Sequence, residues 1–382
     1  MGTATRPISW IMDWKSIRAE FPPLERWTYL NTATFGQIAL RTQNAVTQHF
    51  ARRNQTGCTD FMAWFDDMDE IRALLGSFIN CRASDIAFTM TASAALSQFL
   101  GGIDWKPGDR IVTLRNEFPN HYYYARRLAA RGVELVEMDV IDFLPERTRA
   151  VAISTANYTN GYRPDCAAVV RLARAAGALV YLDGTQSLGA VRFDVAAVQP
   201  DMFAVDGYKW LLCPNGATFF YISPALREQL TPAVFGWRSD RGWRSVAELH
   251  HGTPQLPEDA ERYEGGMLNF PILYAMAESV RMFMELGAEN VERRVRELGA
   301  QVEAIVQATG GTVVHPGSHI IAARWPGVDS EQLTVALKEQ GIVLAARHGN
   351  LRISPHFYNL EEDLEKLGAS LCPALSAKLP RS

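Results

Sequence analysis

Between residues 85 and 225, short apolar runs alternate with stretches whose apolar residues recur every three or four positions. The runs DIAFTM, DRIVTL, VELVEM, AVAIST, ALVYLD, DMFAVD and ATFFYI predict seven strands, since a run this short completes a strand but not a helix. ASAALSQFLGGI, NHYYYARRLAARG and CAAVVRLARAAG predict amphipathic helices, with Arg on the off-stripe positions of the latter two. A Gly near the end of each reads as a C-cap. Strands alternating with helices in this way predict an α/β fold built on a mostly parallel seven-stranded sheet.

From about Leu268 the pattern changes. ILYAMAESVRMFMELG and ENVERRVRELGAQVEAIVQATGG predict two long helices. They are followed by TVVHPGSHIIAARW, a helix around SEQLTVALKEQG, the paired strands IVLAAR and NLRISP, and a last helix in NLEEDLEKLGASL. That is a small α+β unit. The expected organisation is a large domain over residues 26–267 and a small one formed by 1–25 with 268–382. The irregular segment RSDRGWRSVAELHHGTPQLPEDAERYEGG predicts loops near their junction.

Composition narrows the function. Hydrophobic residues at 47% and charged residues at 21% are a globular balance, so folded structure is expected nearly throughout. A formal charge of -4, with no Lys/Arg block, offers no field for a phosphate backbone, and nucleic acid is not an expected partner. No stretch of 18 apolar residues and no leader pattern at the N-terminus is apparent, so no membrane partner and a cytoplasmic location are expected. Cys58, Cys81, Cys166, Cys213 and Cys372 are odd in number and scattered without a C-x-x-C pair, which predicts neither a disulfide framework nor a metal site.

The chemistry concentrates in YLDGTQSLGA and DMFAVDGYKWLLCPNGATFFY, where one strand ends on Asp183 and another ends just before Lys209. Ligands of open α/β sheets collect at the carboxyl ends of strands. An acid and an amine presented there suit a pyridine cofactor: a carboxylate keeps the ring nitrogen protonated, and a lysine condenses with an aldehyde. Gln186, three residues past the acid, is placed to reach the ring's phenolic oxygen. Singly, each of these is usually a cap or a solvated loop residue. The combination is much rarer.

With these residues the chain resembles the fold-type I pyridoxal phosphate enzymes, and within them the class V aminotransferase family of cysteine desulfurases, kynureninase and isopenicillin N epimerase-like proteins. YLNTATFGQ is similar to the family's N-terminal motif. TASAALSQ resembles its phosphate-binding turn and implies phosphate contacts for Ala92 and Ser93. NEFPNHYYYA resembles the motif carrying the ring-stacking residue, which is His in the desulfurases and Phe118 here. The resemblance places Asp206 and Tyr208 beside the phosphate, where the family usually has Ser or His, and makes Lys209 the Schiff-base lysine. YEGGMLNFPIL is similar to a loop that reaches the partner's phosphate in a homodimer with shared sites; Met267 stands where Thr is usual, leaving backbone N–H groups or Asn269 to serve. NLRISPHFYNLEEDL implies that Arg352 binds the substrate carboxylate, a role suited to its planar fork. His121, Asn157 and Tyr158 lie in segments that border the site in relatives, and Cys213 reads as a small core residue.

The resemblance implies an enzyme that labilises a bond at Cα of an amino acid, with pyridoxal 5'-phosphate as cofactor. Residues 310–352 contain no cysteine, and the stacking His is replaced, so a persulfide-forming desulfurase is not expected. An aminotransferase or a lyase acting on C–S or related bonds is expected, with an epimerase or racemase, or a non-catalytic ligand-binding protein on the same fold, as alternatives.

Overall fold

The computed structural model describes residues 12–376. The start of the N-terminal segment read for a leader, and the two extremes of the stretches 1–25 and 268–382, lie outside the described residues. All seven predicted strands form: β1 (Ile86–Thr89), β2 (Arg110–Leu114), β3 (Glu134–Met138), β4 (Thr148–Ser154), β5 (Leu179–Asp183), β6 (Met202–Asp206) and β7 (Thr218–Ile222). They make one sheet in the order β1-β7-β6-β5-β4-β2-β3. Neighbours from β6 to β3 pair in parallel, whereas β7 runs antiparallel to both β6 and β1. The strands of the middle, β4 to β7, are buried almost throughout, as expected for a sheet covered on both faces, which is why they read as continuous apolar runs rather than alternations.

Helices α1 (Leu40–Thr56) and α2 (Phe61–Ile79) precede the sheet, and α3 (Ala92–Gly102), α4 (Pro119–Arg127) and α5 (Cys166–Ala175) fall where the periodicity put them. Gly177, one residue past the C-cap of α5, and Gly132, which caps the 3-10 turn Leu128–Arg131 following α4, adopt left-handed conformations as C-caps do. Gly101 and Gly102 do not: they lie inside α3, whose C-cap is the extended Ile103. Close packing explains them, because a Cβ on Gly102 would come within 2.7 Å of both Leu230 and Thr231.

Beyond the large sheet, α6 (Phe270–Leu286) and α7 (Ala288–Ala308) are followed by a four-stranded antiparallel sheet. Its strands are β8 (Thr312–Val313), β9 (Ile321–Arg324), β10 (Ala345–Arg347) and β11 (Asn350–Ile353), with α8 (Ser330–Glu339) and α9 (Glu361–Ser376) packed alongside. The expected pairing of IVLAAR with NLRISP holds only for its second half. Ile342–Val343 instead runs parallel to Thr28–Tyr29, which frees residues 30–36 to cross towards the carboxyl edge of the large sheet. Segment 238–266 forms loops and short 3-10 turns. Among the described residues no helix is long and apolar enough to cross a membrane.

Candidate active site

The carboxyl ends of β4, β5 and β6 and the N-terminus of α3 enclose a cavity of about 390 Å³, lined among others by Ala92, Ser93, Phe118, Ser154, Asp183, Gln186, Asp206, Tyr208 and Lys209. Of the eleven residues expected at the site, eight line this cavity. Arg352, on β11, stands behind the lining residue Tyr158, to whose carbonyl it donates.

Lys209 sits in the turn after β6 with only 7% of its surface exposed. Its Nζ lies 5.5 Å from the centre of the Phe118 ring and 5.4 Å from that of Tyr208. Burial pushes its amine down to about 8, with Asp183 opposing the shift. A buried amine near that value offers far more neutral nucleophile at pH 7 than a surface lysine does. Two glycines make the turn possible. A Cβ on Gly36 would lie 2.0 Å from the Lys209 carbonyl oxygen, and one on Gly189 would lie 2.1 Å from that of Trp210. The Gly36 amide also donates to the Tyr208 carbonyl at 2.9 Å.

Asp183 ends β5, and its Oδ1 accepts from the Thr185 amide at 2.9 Å. Thr185 staples two strand ends together, because its hydroxyl accepts from the Asp206 amide at 3.0 Å. Gln186 is held at both ends of its amide: Nε2 donates to the Ala33 carbonyl at 3.0 Å, and Oε1 accepts from Trp210 Nε1 at 3.1 Å. One Nε2 hydrogen stays free to face the cavity. His319 donates to the Gln186 carbonyl at 2.6 Å, which seats the same segment from the far side.

Phe118 precedes Pro119 at the first turn of α4, with 38% of its surface exposed at the cavity, and packs edge-on against Tyr158. Its backbone is set by Glu117, a residue the sequence reading passed over. The buried Glu117 carboxylate accepts from the Ser154 amide at 2.7 Å, the Ser154 hydroxyl at 2.6 Å and the Phe118 amide at 3.2 Å. An acid three residues past a strand and immediately before an aromatic-Pro pair was the available signal. His121 is buried near Glu117, 3.8 Å away, and does not line the cavity. Asn157 is spent on its own turn, accepting from Thr159 and donating to the Asn116 carbonyl.

Arg352 is 1% exposed and makes no ion pair among the described residues. It donates to the Tyr158 carbonyl at 2.7 Å and to Thr34 Oγ1, with Asn31 Oδ1 at 3.4 Å, while its Nε has no partner. Burial and the neighbouring Arg347 push it down to about 9, the condition of a buried cation still lacking an anion. The N-terminal motif therefore does several things at once. Asn31 and Thr34 hold Arg352, Ala33 holds Gln186, Phe35 lines the cavity and Gly36 backs Lys209.

Met267 and Asn269 are not brought into this chain's own cavity. Met267 is 61% exposed, and Asn269 is the N-cap position of α6. None of the five cysteines, all free, lines the cavity either. Cys213 is buried beneath the Lys209 turn, and burial pushes its thiol up.

A family model described as "Aminotransferase class-V" matches residues 32–373. The chain belongs to the class V aminotransferase family. It is therefore a pyridoxal phosphate enzyme with the α/β architecture described above. Relatives include a probable cysteine desulfurase of Methanothermobacter thermautotrophicus, 24% identical across 94% of this chain and 97% of the relative. Isopenicillin N epimerase of Streptomyces clavuligerus is 30% identical across 69% of this chain and 73% of that enzyme. Among solved structures, a C-DES mutant with glycine covalently linked to the PLP cofactor superposes with a TM-score of 0.85 at 20% identity, covering 93% of this chain and 98% of that one. An apo cysteine desulfurase from Thermococcus onnurineus NA1 reaches 0.86 at 18% identity, covering 99% of this chain and 100% of that one. At these identities the structural likeness speaks for the fold.

Proposed function

We propose that this class V enzyme acts on a small amino acid through Lys209, as an aminotransferase or a lyase cleaving a C–S or related bond, without a protein-bound persulfide. The observation that carries the reading is Arg352, a buried guanidinium with no carboxylate partner at the edge of a cavity that holds a buried lysine of lowered basicity. Such a cation is stabilised by a carboxylate arriving with the substrate, and its planar fork fixes that carboxylate while Lys209 works at Cα. Bound pyridoxal phosphate supplies an aldehyde that condenses with amines and a protonated ring that withdraws electrons from Cα.

The residues on the cavity wall suit that cofactor. The amides of Ala92 and Ser93 at the start of α3 would take the phosphate, together with Asp206 and Tyr208. Asp183 would keep the pyridine nitrogen protonated, the free Nε2 hydrogen of Gln186 would reach the phenolic oxygen, and Phe118 would cover the ring face. Met267 and Asn269 would serve the second copy of a homodimer, since neither lines its own chain's cavity. Lys209, neutral in part at pH 7, is the amine positioned to take and return a proton at Cα.

The relatives named as cysteine desulfurases leave sulfur chemistry open, and the absence of a thiol from the cavity wall among the described residues argues for release without a persulfide on the protein. Borohydride reduction and peptide mapping test the lysine: the adduct is expected on Lys209, and a label elsewhere overturns the assignment. Replacing all five cysteines tests the persulfide. Turnover of each amino acid converted by the wild type is expected to stay within a small factor, and sulfide release that depends on one of the thiols would defeat the reading.

A further inference from the structure

The charged side chains lining the cavity are Asp183, Asp206 and Lys209, two acids against one base. Asp206 stands at the phosphate end. Its Oδ2 is 3.5 Å from the Ala92 amide at the N-terminus of α3, and its Oδ1 is buried with no partner. The residue is 9% exposed, and its backbone is fixed. Its backbone is paired with Thr218 on β7 and its amide is tied to Thr185 Oγ1. A carboxylate thus occupies the helix terminus that a phosphate dianion would need, and no Arg lines the cavity to offset the second anion.

We propose that Asp206 meets the cofactor phosphate as a neutral carboxylic acid, donating its proton to a phosphate oxygen, so that cofactor loading takes up a proton and weakens as pH rises. The proposal rests on the reading that the phosphate seats on the N-terminus of α3. Two anions in one buried site cannot both stay ionised cheaply, and the proton drawn from solvent converts a repulsion into an O–H···O⁻ hydrogen bond. No covalent bond to phosphorus changes; the proton stays on Asp206.

The surroundings of Asp206 agree. From β5 it is faced by Asp183 and the phenol of Tyr181, from its own turn by Lys209, Tyr208 and the buried Cys213, from β7 by the hydroxyl of Thr218, and from α3 by the positive helix end. Burial, with Asp183 adding to it, raises Asp206 to about 6 against the opposing pull of the Thr218 hydroxyl, the Ala92 amide and Lys209. The group is then mostly ionised at pH 7 in the free protein and one added anion away from neutrality. The sign follows: a proton is bound on loading between this value and the higher one of the loaded site, so affinity is greatest at low pH and falls through that window.

The test uses pyridoxamine 5'-phosphate, whose amine cannot condense with Lys209, and compares the full-length wild type with Asp206→Asn. The dissociation constant is read by tryptophan fluorescence at pH 7 and 8, and calorimetry at pH 7 in buffers of different ionisation enthalpy counts protons. The ligand titrates equally in both proteins, and repeating the pair in a Lys209→Gln background removes the one neighbouring titration that Asp206 influences, so the comparison isolates position 206. The ratio of wild-type to variant dissociation constant is expected to rise about tenfold over that unit, the slope of one proton, and the wild type to take up close to one proton more. A ratio constant with pH together with equal proton counts overturns the proposal. If neither protein binds the ligand, it is the phosphate-site reading that fails. Asp206→Ser, a donor that does not titrate, gives the same comparison should the asparagine variant fold poorly.

Discussion

Asp183 is a buried charge on the cavity wall and Arg352 one behind it, and they predict opposite kinds of loss. Truncating Arg352→Ala removes the carboxylate's partner from a desolvated pocket, which should cost about 2–4 kcal/mol, or roughly 30- to 1,000-fold in kcat/KM. Cofactor affinity should hardly move. Arg352→Lys should recover only part, because an ammonium lacks the bidentate fork. Initial rates with a converted amino acid and an absorbance titration with cofactor separate the two effects, and loss of cofactor with intact substrate preference would place Arg352 at the phosphate instead. Asp183→Asn keeps an oxygen to accept from the Thr185 amide, so the fold should survive. What is lost is the charge proposed to face the ring nitrogen. Most activity should disappear with cofactor still bound, and wild-type turnover by that variant would exclude the role.

At the scale of elements, the lysine turn is a short loop clamped between two others. Residues 31–36 press on one side through Gly36 and residues 184–189 on the other through Gly189, each within about van der Waals contact of a carbonyl only because a side chain is missing. Gly36→Ala should therefore push the Lys209 carbonyl away, lowering stability by about 1–3 kcal/mol as overpacking does. It should also reduce the fraction of Lys209 trapped by borohydride in the folded protein. Denaturant midpoints and peptide mapping measure the two effects, and a variant with unchanged trapping would show that the turn tolerates the shift. Helices α1 and α2 lie outside the elements read from the sequence, for different reasons. The stripe of α1 is weak, with Thr42, Ala45 and His49 as its buried residues. That of α2 is strong, with Trp64, Phe65, Met68, Ile71 and Leu75 at helical spacing, and was legible.

Over the whole molecule, the region around the four-stranded sheet docks on the large sheet through buried histidines. His319 donates to the Gln186 carbonyl, and His356 donates to the Trp210 carbonyl at 2.9 Å. Burial pushes both imidazoles down to about 3. In the unfolded chain they titrate near 6.5, so their contribution is intact above that pH and is lost as pH falls from about 6.5 towards 3, because the unfolded state then binds protons that the native state refuses. Stability should fall in that window by up to about 1.4 kcal/mol per pH unit for each histidine. Thermal unfolding of the wild type and His356→Gln at pH 7 and 5 checks this, with a smaller loss expected for the variant; identical slopes would remove His356 from the account. The proposed shared sites predict a homodimer, and light scattering that finds a fully active monomer would defeat the exchange of Met267 and Asn269.

What the sequence determined by itself was local. The period of its apolar residues specified all seven strands of the large sheet and most helices, and the spacing from Asp183 to Lys209 marked the carboxyl edge where the cavity lies, because side-chain periodicity and strand-end chemistry are written in neighbouring residues. Tertiary structure decided the partners. That Arg352 rests on Thr34 across a separation of 318 residues, that Gln186 is anchored by Ala33 and Trp210, that Glu117 holds the Phe118 turn through Ser154, and that Asp206 faces the first amide of α3 all depend on which distant backbone comes within hydrogen-bond reach. Burial decided the charge states in the same way. The acidity of Asp206 and the basicity of Lys209 follow from the water that folding excludes, and no spacing along a chain records that.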